Sequence, residues 1–366
     1  MNESTKRRLL EKNQKIIDMV IERAKRDFPD EIVLIGLTGS FSTNDFHEKS
    51  DLDLIIVNNT DKGWGISDCF IFDDVGYDIY CTPWDKIEQM ANLETFWISL
   101  LTELQILYVA NPKDLERFNT LKEKALKTLA LPIGSDCIKR AKKYLDLAKQ
   151  EYANTLLMGD IGSVRYASSE LVCHVVNAIV SLNNTYIKRG IKRYLEDLST
   201  YNYLPEDFEK IYMSIVEAKT VDEIRLTSFS LLQSIGRLYE EMKHKYTPKK
   251  IPTFENLKDT YEELWCNNRN KIINSTTMKD KSYAFLTANG AQSYFDEMTE
   301  DYCGTPKFDL MKHFDASNLS NFCEVFLEMM EAYKKEYDQV GRQVQKFETF
   351  EEVYQHFMGE KKEQGA

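Results

Sequence analysis

Paired-cysteine spacing, metal-type histidine spacing and long apolar runs are all missing from this chain of 366 residues. Its 7 cysteines, Cys69, Cys81, Cys137, Cys173, Cys266, Cys303 and Cys323, include no CxxC pair. Neither a disulfide framework nor a zinc site is therefore expected, and reduced, packed thiols are the default. The 5 histidines form no HxxxH pair that would suit a transition metal. No apolar stretch approaches the roughly 20 residues of a membrane helix, and the opening MNESTKRRLLEKNQ has no apolar signal-peptide core. Together these read as a cytoplasmic protein with no membrane partner. Cations are in deficit, 47 Lys and Arg against 59 Asp and Glu for a net charge of -12. That balance argues against extended nucleic-acid binding, which needs clustered Lys and Arg, and it suits a small cationic ligand. Internal repeats and low-complexity tracts are also lacking.

What is present is an ordinary globular composition, 43% apolar, long enough for two or three domains. Residues 5–28 place Leu9, Ile16, Ile17, Val20, Ile21 and Phe28 at helical spacing, and Pro29-Asp30 stops the run. Four short runs rich in β-branched and aromatic residues follow, at 32–37, 52–57, 69–72 and 75–81, and they read as strands of one small sheet. After the last, Thr82 is expected as an N-cap with Pro83 at the first helical position. From about Ser135 onward long charged helical patterns replace strand signals. Boundaries near 130 and 246, the second at KYTPKKIPTF, give three segments: 1–130 an α/β catalytic domain, 131–246 a helical bundle, and 247–366 a further helical module. The fold class is α+β, a small mixed sheet followed by helices.

The stretch IGLTGSFSTNDFHEKSDLDLIIV, residues 35–57, carries the chemistry. A strand breaks at Gly39-Ser40, where a glycine lets backbone approach a bulky anion and Ser40 adds a hydroxyl and an N–H at an expected helix N-terminus. Gly39, Ser40 and Ser50 are the candidate nucleotide contacts in this stretch. Residues two apart in a strand share a face, so Asp51 and Asp53 project together while Leu52 and Leu54 turn to the core. Two adjacent carboxylates repel unless a cation joins them. Magnesium, which takes carboxylate and phosphate oxygens, is the expected partner of a nucleoside triphosphate here. Asp78, in VGYDIYC, is a third acid that would complete the metal site or accept the proton of an attacking hydroxyl. The plain alternative is a turn followed by a strand whose acids face solvent.

Gly39-Ser40, the Asp51-x-Asp53 pair and the distant strand acid Asp78 resemble the nucleotidyltransferase superfamily that includes DNA polymerase beta and the aminoglycoside nucleotidyltransferases. The match covers roughly residues 31–83. The resemblance implies transfer of a nucleoside monophosphate, with ATP the leading donor, to a hydroxyl, with release of pyrophosphate. It implies a small, cationic, aminoglycoside-type or lincosamide-type acceptor, and it is compatible with a homodimer. A protein or tRNA acceptor, as in antitoxin-type members, and a non-catalytic nucleotide-binding module are the alternatives.

Members that modify antibiotics join the catalytic domain to a helical bundle, and the remainder of this chain is similar in general design. In the helix 162–190, Val164, Ala167, Leu171, Val172, Val175, Ile179 and Leu182 form a core side. Ser163, Tyr166, Glu170, His174, Asn177 and Ser181 form a polar, nearly uncharged stripe on another, which points to a wet cleft. In kanamycin nucleotidyltransferase-like enzymes a glutamate of the helical domain is the general base, and Glu170 is the candidate here; a capping Glu170 and a core-edge His174 are the alternative. The basic cluster Lys188, Arg189, Lys192 and Arg193 would close over the triphosphate or simply face solvent, with Lys188 and Arg189 taken as the nucleotide contacts. Trp265, Arg269 and Lys271 would touch nucleotide or acceptor, or make an interhelical contact. Tyr283, Phe285, Tyr294 and Phe295 are expected in the core, the alternative being an aromatic-lined pocket for a sugar or heterocycle.

Overall fold

The computed structural model describes residues 2–300, 302 and 305–359, so Cys303 lies outside the described residues. The chain divides into two compact units, Met1–Thr247 and Pro248–Ala366. The whole is α+β, a small mixed sheet near the N-terminus followed by helices. Among the described residues no helix is long and apolar enough to cross a membrane.

The first unit opens with helix α1 (Glu3–Asp27), capped by the Asn2 side chain and presenting Leu9, Ile16, Ile17 and Val20 inward. Strand β1 (Ile32–Leu37) is buried along its whole length, as a central strand covered on both faces must be. It pairs antiparallel with β2 (Leu54–Asn58) and with β6 (Gln105–Val109), and β2 pairs parallel with β5 (Cys81–Pro83), for a sheet order β5-β2-β1-β6. Strands β3 (Asp68–Phe72) and β4 (Val75–Ile79) form a separate antiparallel hairpin. On one face of the sheet α1 and the hairpin enclose Ile16, Ile35, Leu37, Leu54, Ile56 and Tyr77. On the other, helices α3 (Trp84–Ala91), α4 (Ser99–Thr102) and α5 (Pro112–Leu129) cover Leu34, Ile55 and Val57 with Ile87, Leu101 and Phe118. Between β1 and β2 lies the single short helical turn α2 (Gly39–Ser42).

Several expectations are corrected here. The four runs do not make one sheet: the run 75–81 breaks at Tyr80, its first part turning back on β3 and its continuation joining β2. Strand β6 was not anticipated, because its apolar residues sit between two helical patterns and are only partly covered. Helix α3 starts one position later than expected, with Pro83 as its N-cap, since Pro83 is still extended as the last residue of β5.

The rest of the first unit is helical. Helices α6 (Ser135–Leu157) and α7 (Ile161–Leu182), joined by residues 158–160, pack as a hairpin, and after the short α8 (Tyr194–Leu198) come α9 (Phe208–Glu217) and α10 (Val221–Tyr246). Leu171, Val175, Ile179 and Leu182 of α7 meet Ala141, Leu145, Leu231 and Ile235 in one core. Asn184 clasps the α5–α6 junction: its Nδ2 donates to the carbonyls of Thr128 (2.9 Å), Leu129 (3.3 Å) and Leu131 (3.0 Å), and its Oδ1 accepts from Arg140 (2.7 Å). Its φ of 45° lies in the left-handed region, which asparagine tolerates better than other side-chain-bearing residues.

The second unit contains α11 (Thr260–Leu264), a π-helical turn over Trp265–Arg269, α12 (Asn270–Thr277), α13 (Lys281–Glu300), α14 (Leu319–Gln339) and α15 (Phe350–Met358). Its core gathers Leu264, Phe295, Phe322, Phe326, Tyr333 and Tyr337. Of the aromatics expected inside, Phe295 is buried and Tyr294 packs against this core. Phe285 is 49% exposed, because Ala284, Ala288, Ala291 and Phe295 define the inner face of α13 and Phe285 is turned about 100° away from it.

Asn184→Ala should lower the stability of the first unit by about 2–3 kcal/mol, the cost of leaving several buried polar groups unpaired. A shifted midpoint of urea unfolding would show it; an unchanged midpoint would contradict the role given to this side chain.

Candidate active site

The Gly39 turn and the acid pair are built against each other. Gly39 has φ +70°, and a Cβ there would lie 1.8 Å from Asp53 Oδ2, so both the backbone conformation and the space demand glycine. Asp51, Leu52 and Asp53 precede β2, which begins at Leu54, rather than belonging to the strand. The extended lead-in still alternates: Leu52 and Leu54 are buried, while Asp51 and Asp53 turn outward, the Asp53 carboxyl partly enclosed against the Gly39 turn. The Thr38 N–H donates to the Asp53 carbonyl (3.0 Å), continuing the β1–β2 ladder past its end. The Ser40 backbone N–H lies on the side of the Asp53 carboxylate and favours its ionised form.

Burial, with the charge of Asp51 second, pushes the Asp53 carboxyl up to about 6 against the opposing Ser40 hydrogen bond. No cation among the described residues offsets that repulsion. The donor set fits magnesium, which is held through one or two carboxylates with phosphate oxygens and water completing its shell. Among the described residues no three His, Cys, Asp or Glu converge closely enough to enclose a metal ion.

Asp78 stands on β4, exposed, with its Oδ1 accepting from the Cys69 thiol (3.3 Å). Ser50 is buried, and its Oγ accepts from the His47 N–H (2.9 Å), closing the turn that leads into the acid pair.

The basic cluster divides into two. Arg189 donates to Asp197 (2.7 Å) and Glu196 (2.9 Å), and Asp197 also accepts the backbone N–H groups of Lys188 and Arg189. The Lys188 ammonium lies over the Tyr186 ring at 5.8 Å. Arg193 instead grips Asp45 with two hydrogen bonds of 2.7 and 3.0 Å, and Lys192 pairs with the same carboxylate at 3.4 Å. Asp45 belongs to the loop between α2 and the acid pair, and its N–H donates to the Ser40 carbonyl (2.9 Å). This bridge to the glycine turn escaped sequence reading, since nothing in spacing ties Asp45 to Arg193.

The polar stripe of α7 does open onto a cavity, of about 630 Å³. Glu170, His174 and Asn177 line it, whereas Ser163, Tyr166 and Ser181 do not. Its other walls include Phe96, Trp97, Arg165, Tyr194 and Tyr212, none singled out from sequence because they come from four separate chain segments. Burial, with Glu170 second, raises the Cys173 thiol above its ordinary range, which disfavours the thiolate needed for nucleophilic chemistry. Trp265 and Arg269 lie in the second unit, where the guanidinium sits 3.8 Å from the centre of the indole; Lys271 is exposed.

Residues 17–133 match the family model described as nucleotidyltransferase domain. Gly39, Ser40, Asp45, Ser50, Asp51, Asp53 and Asp78 fall within that span; Glu170 and the basic cluster fall beyond it. No curated protein matches the chain. Matching solved structures include a nucleotidyltransferase-like protein from Exiguobacterium sibiricum 255-15, 13% identical, with a TM-score of 0.35 over 64% of this chain and 77% of that one.

The raised carboxyl of Asp53 sets the sign of a pH effect. Its contribution to the stability of the metal-free protein is fully present below the unfolded value of 3.8 and is lost as pH rises through about 6. Asp53→Asn should therefore be more stable than the wild type at pH 8 without metal, the advantage disappearing in acid. Thermal unfolding across pH tests this, and equal midpoints at pH 8 would refute the repulsion argument. Gly39→Ala should destabilise the first unit by about 1–3 kcal/mol, since a strained backbone conformation and a clash with Asp53 act on the same turn; an unchanged midpoint of urea unfolding would contradict it.

Proposed function

We propose that the first unit transfers a nucleoside monophosphate from a magnesium-bound nucleoside triphosphate, ATP being the leading donor, to a hydroxyl of a small molecule held in the α7 cavity. The observation that carries this reading is the fit of Gly39 to Asp53, with Asp51 beside it, inside the matched nucleotidyltransferase domain. A turn with no Cβ, two carboxylates and no cation between them is an arrangement that a metal-bound triphosphate would complete.

In the reaction the acceptor oxygen attacks the α-phosphorus, a new P–O bond forms, and the bond from that phosphorus to the bridging oxygen breaks, releasing pyrophosphate. A bound magnesium would supply charge to the phosphate oxygens as they reorganise. Asp51 and Asp53 would hold that ion, and Asp78 is proposed as a third ligand on the family resemblance alone, since the three acids do not converge here. Gly39, Ser40 and Ser50 border the phosphates. Glu170 takes the proton of the attacking hydroxyl; what supports it is its place on the cavity wall as the one carboxylate among the lining residues. Lys188 and Arg189 remain proposed triphosphate contacts, although Asp197 and Glu196 already engage Arg189. Lys192 and Arg193, tied to the glycine-turn loop through Asp45, are better situated for that task.

An aminoglycoside-type acceptor would bring several ammonium groups to a cavity whose lining holds one carboxylate and one guanidinium. Its support lies in the family resemblance and in the net charge of the chain, and the cavity itself adds none.

Pyrophosphate release from each nucleoside triphosphate with magnesium, across a panel of small alcohols, tests the transfer. Glu170→Gln should lower kcat by about 100-fold or more with nucleotide affinity unchanged, the pattern of a lost general base. A wild-type rate would return the proton to Asp78. Silence with every small alcohol, alongside magnesium-dependent nucleotide binding, would favour a protein or tRNA acceptor.

A further inference from the structure

Resting on the transfer reading, we infer that the α7 cavity takes a neutral acceptor with an apolar ring, a hydroxylated aryl or alicyclic compound, and discriminates against polycations. At about 630 Å³ the cavity is of the size that encloses a drug-sized molecule. Aromatic pairs form much of its wall: Phe96 and Trp97 meet edge to face at 5.3 Å, and Tyr194 and Tyr212 do the same at 5.9 Å. Rings arranged this way offer both faces and edges to a planar or chair-shaped guest. Trp97 is 49% exposed, a large apolar surface that a bound ring would cover.

The charges of the cavity point the same way. Glu170 is the one carboxylate of the lining and Arg165 its one guanidinium, which donates to the Ala218 carbonyl (3.2 Å). Tyr194 is held as a neutral phenol, its titration raised by burial and by the hydrogen bond to Tyr212. The net charge of the chain is thus not concentrated here. Several ammonium groups would lose their hydration with one carboxylate to compensate them, while an uncharged ring with a hydroxyl would lose little and would present its proton to Glu170. His174, also on the wall, keeps a buried Nδ1 without a hydrogen-bond partner, a polar atom that a guest with a second hydroxyl would satisfy.

The test uses the full chain, a 4-nitrophenyl glycoside as the neutral probe, and an aminocyclitol glycoside carrying four ammonium groups as the polycation. Calorimetry without nucleotide reads binding, and pyrophosphate release with magnesium and ATP reads transfer. The aryl glycoside should bind more tightly than the polycation, and Trp97→Ala should weaken it about ten-fold or more, as expected for an aromatic anchor, with triphosphate affinity unchanged. Tighter binding of the polycation, no binding of the aryl glycoside, or wild-type affinity in Trp97→Ala would each overturn the inference. Binding of the aryl glycoside that responds to Trp97→Ala, with no pyrophosphate from any triphosphate, would support the ligand class while removing the transfer reading. Pyrophosphate release with the polycation alone would do the reverse.

Discussion

The close fit of the partly buried Asp53 carboxyl, with the charge of Asp51 beside it, against the Gly39 turn is the constraint on which the candidate site depends. Burial first and the Asp51 charge second favour the protonated form of Asp53. The chain holds both acids in place regardless, because Leu52 and Leu54 are locked into the core beneath them and the Thr38 N–H fixes the backbone at Asp53. A sheet covered on both faces supplies the rigidity this needs. The empty side of Gly39 is part of the same device: it lets the glycine turn press against the acid that any larger residue would displace.

Much of that device was legible before any coordinates. A glycine breaking an apolar run and two acids alternating with leucines depend only on local periodicity, and local periodicity is what a sequence displays directly. Strand β1 fell where it was expected for the same reason. What stayed hidden depends on contacts between distant segments. Strand β6 is recognised by its pairing with β1 and not by its own pattern. The pairing of Arg193 with Asp45, and of Arg189 with Asp197, sorted a basic cluster that looks uniform in sequence into two groups with different partners. Phe96 and Trp97 carry no motif, and their place on the cavity wall follows from how α7 packs.

The acidic balance of the chain shows how far a global quantity can mislead about a local one. A net charge of -12 suggested a cationic guest, yet the cavity lining holds a single carboxylate and a single guanidinium. Exposed acids on helix surfaces are screened within about 10 Å at ordinary salt. What a ligand senses is the handful of groups around it.

Arg193 is followed directly by Tyr194, and the two face different tasks: one grips the loop of the glycine turn, the other lines the cavity. A rigid pair of neighbours of this kind joins two occupancies into one thermodynamic cycle. A guest that displaced Tyr194 would load the Asp45 fork through the adjoining Arg193, and in the proposed reaction any effect on nucleotide affinity would be matched by an equal effect of nucleotide on the guest. The order in which the two arrive then alters the route through that cycle and leaves its energy the same.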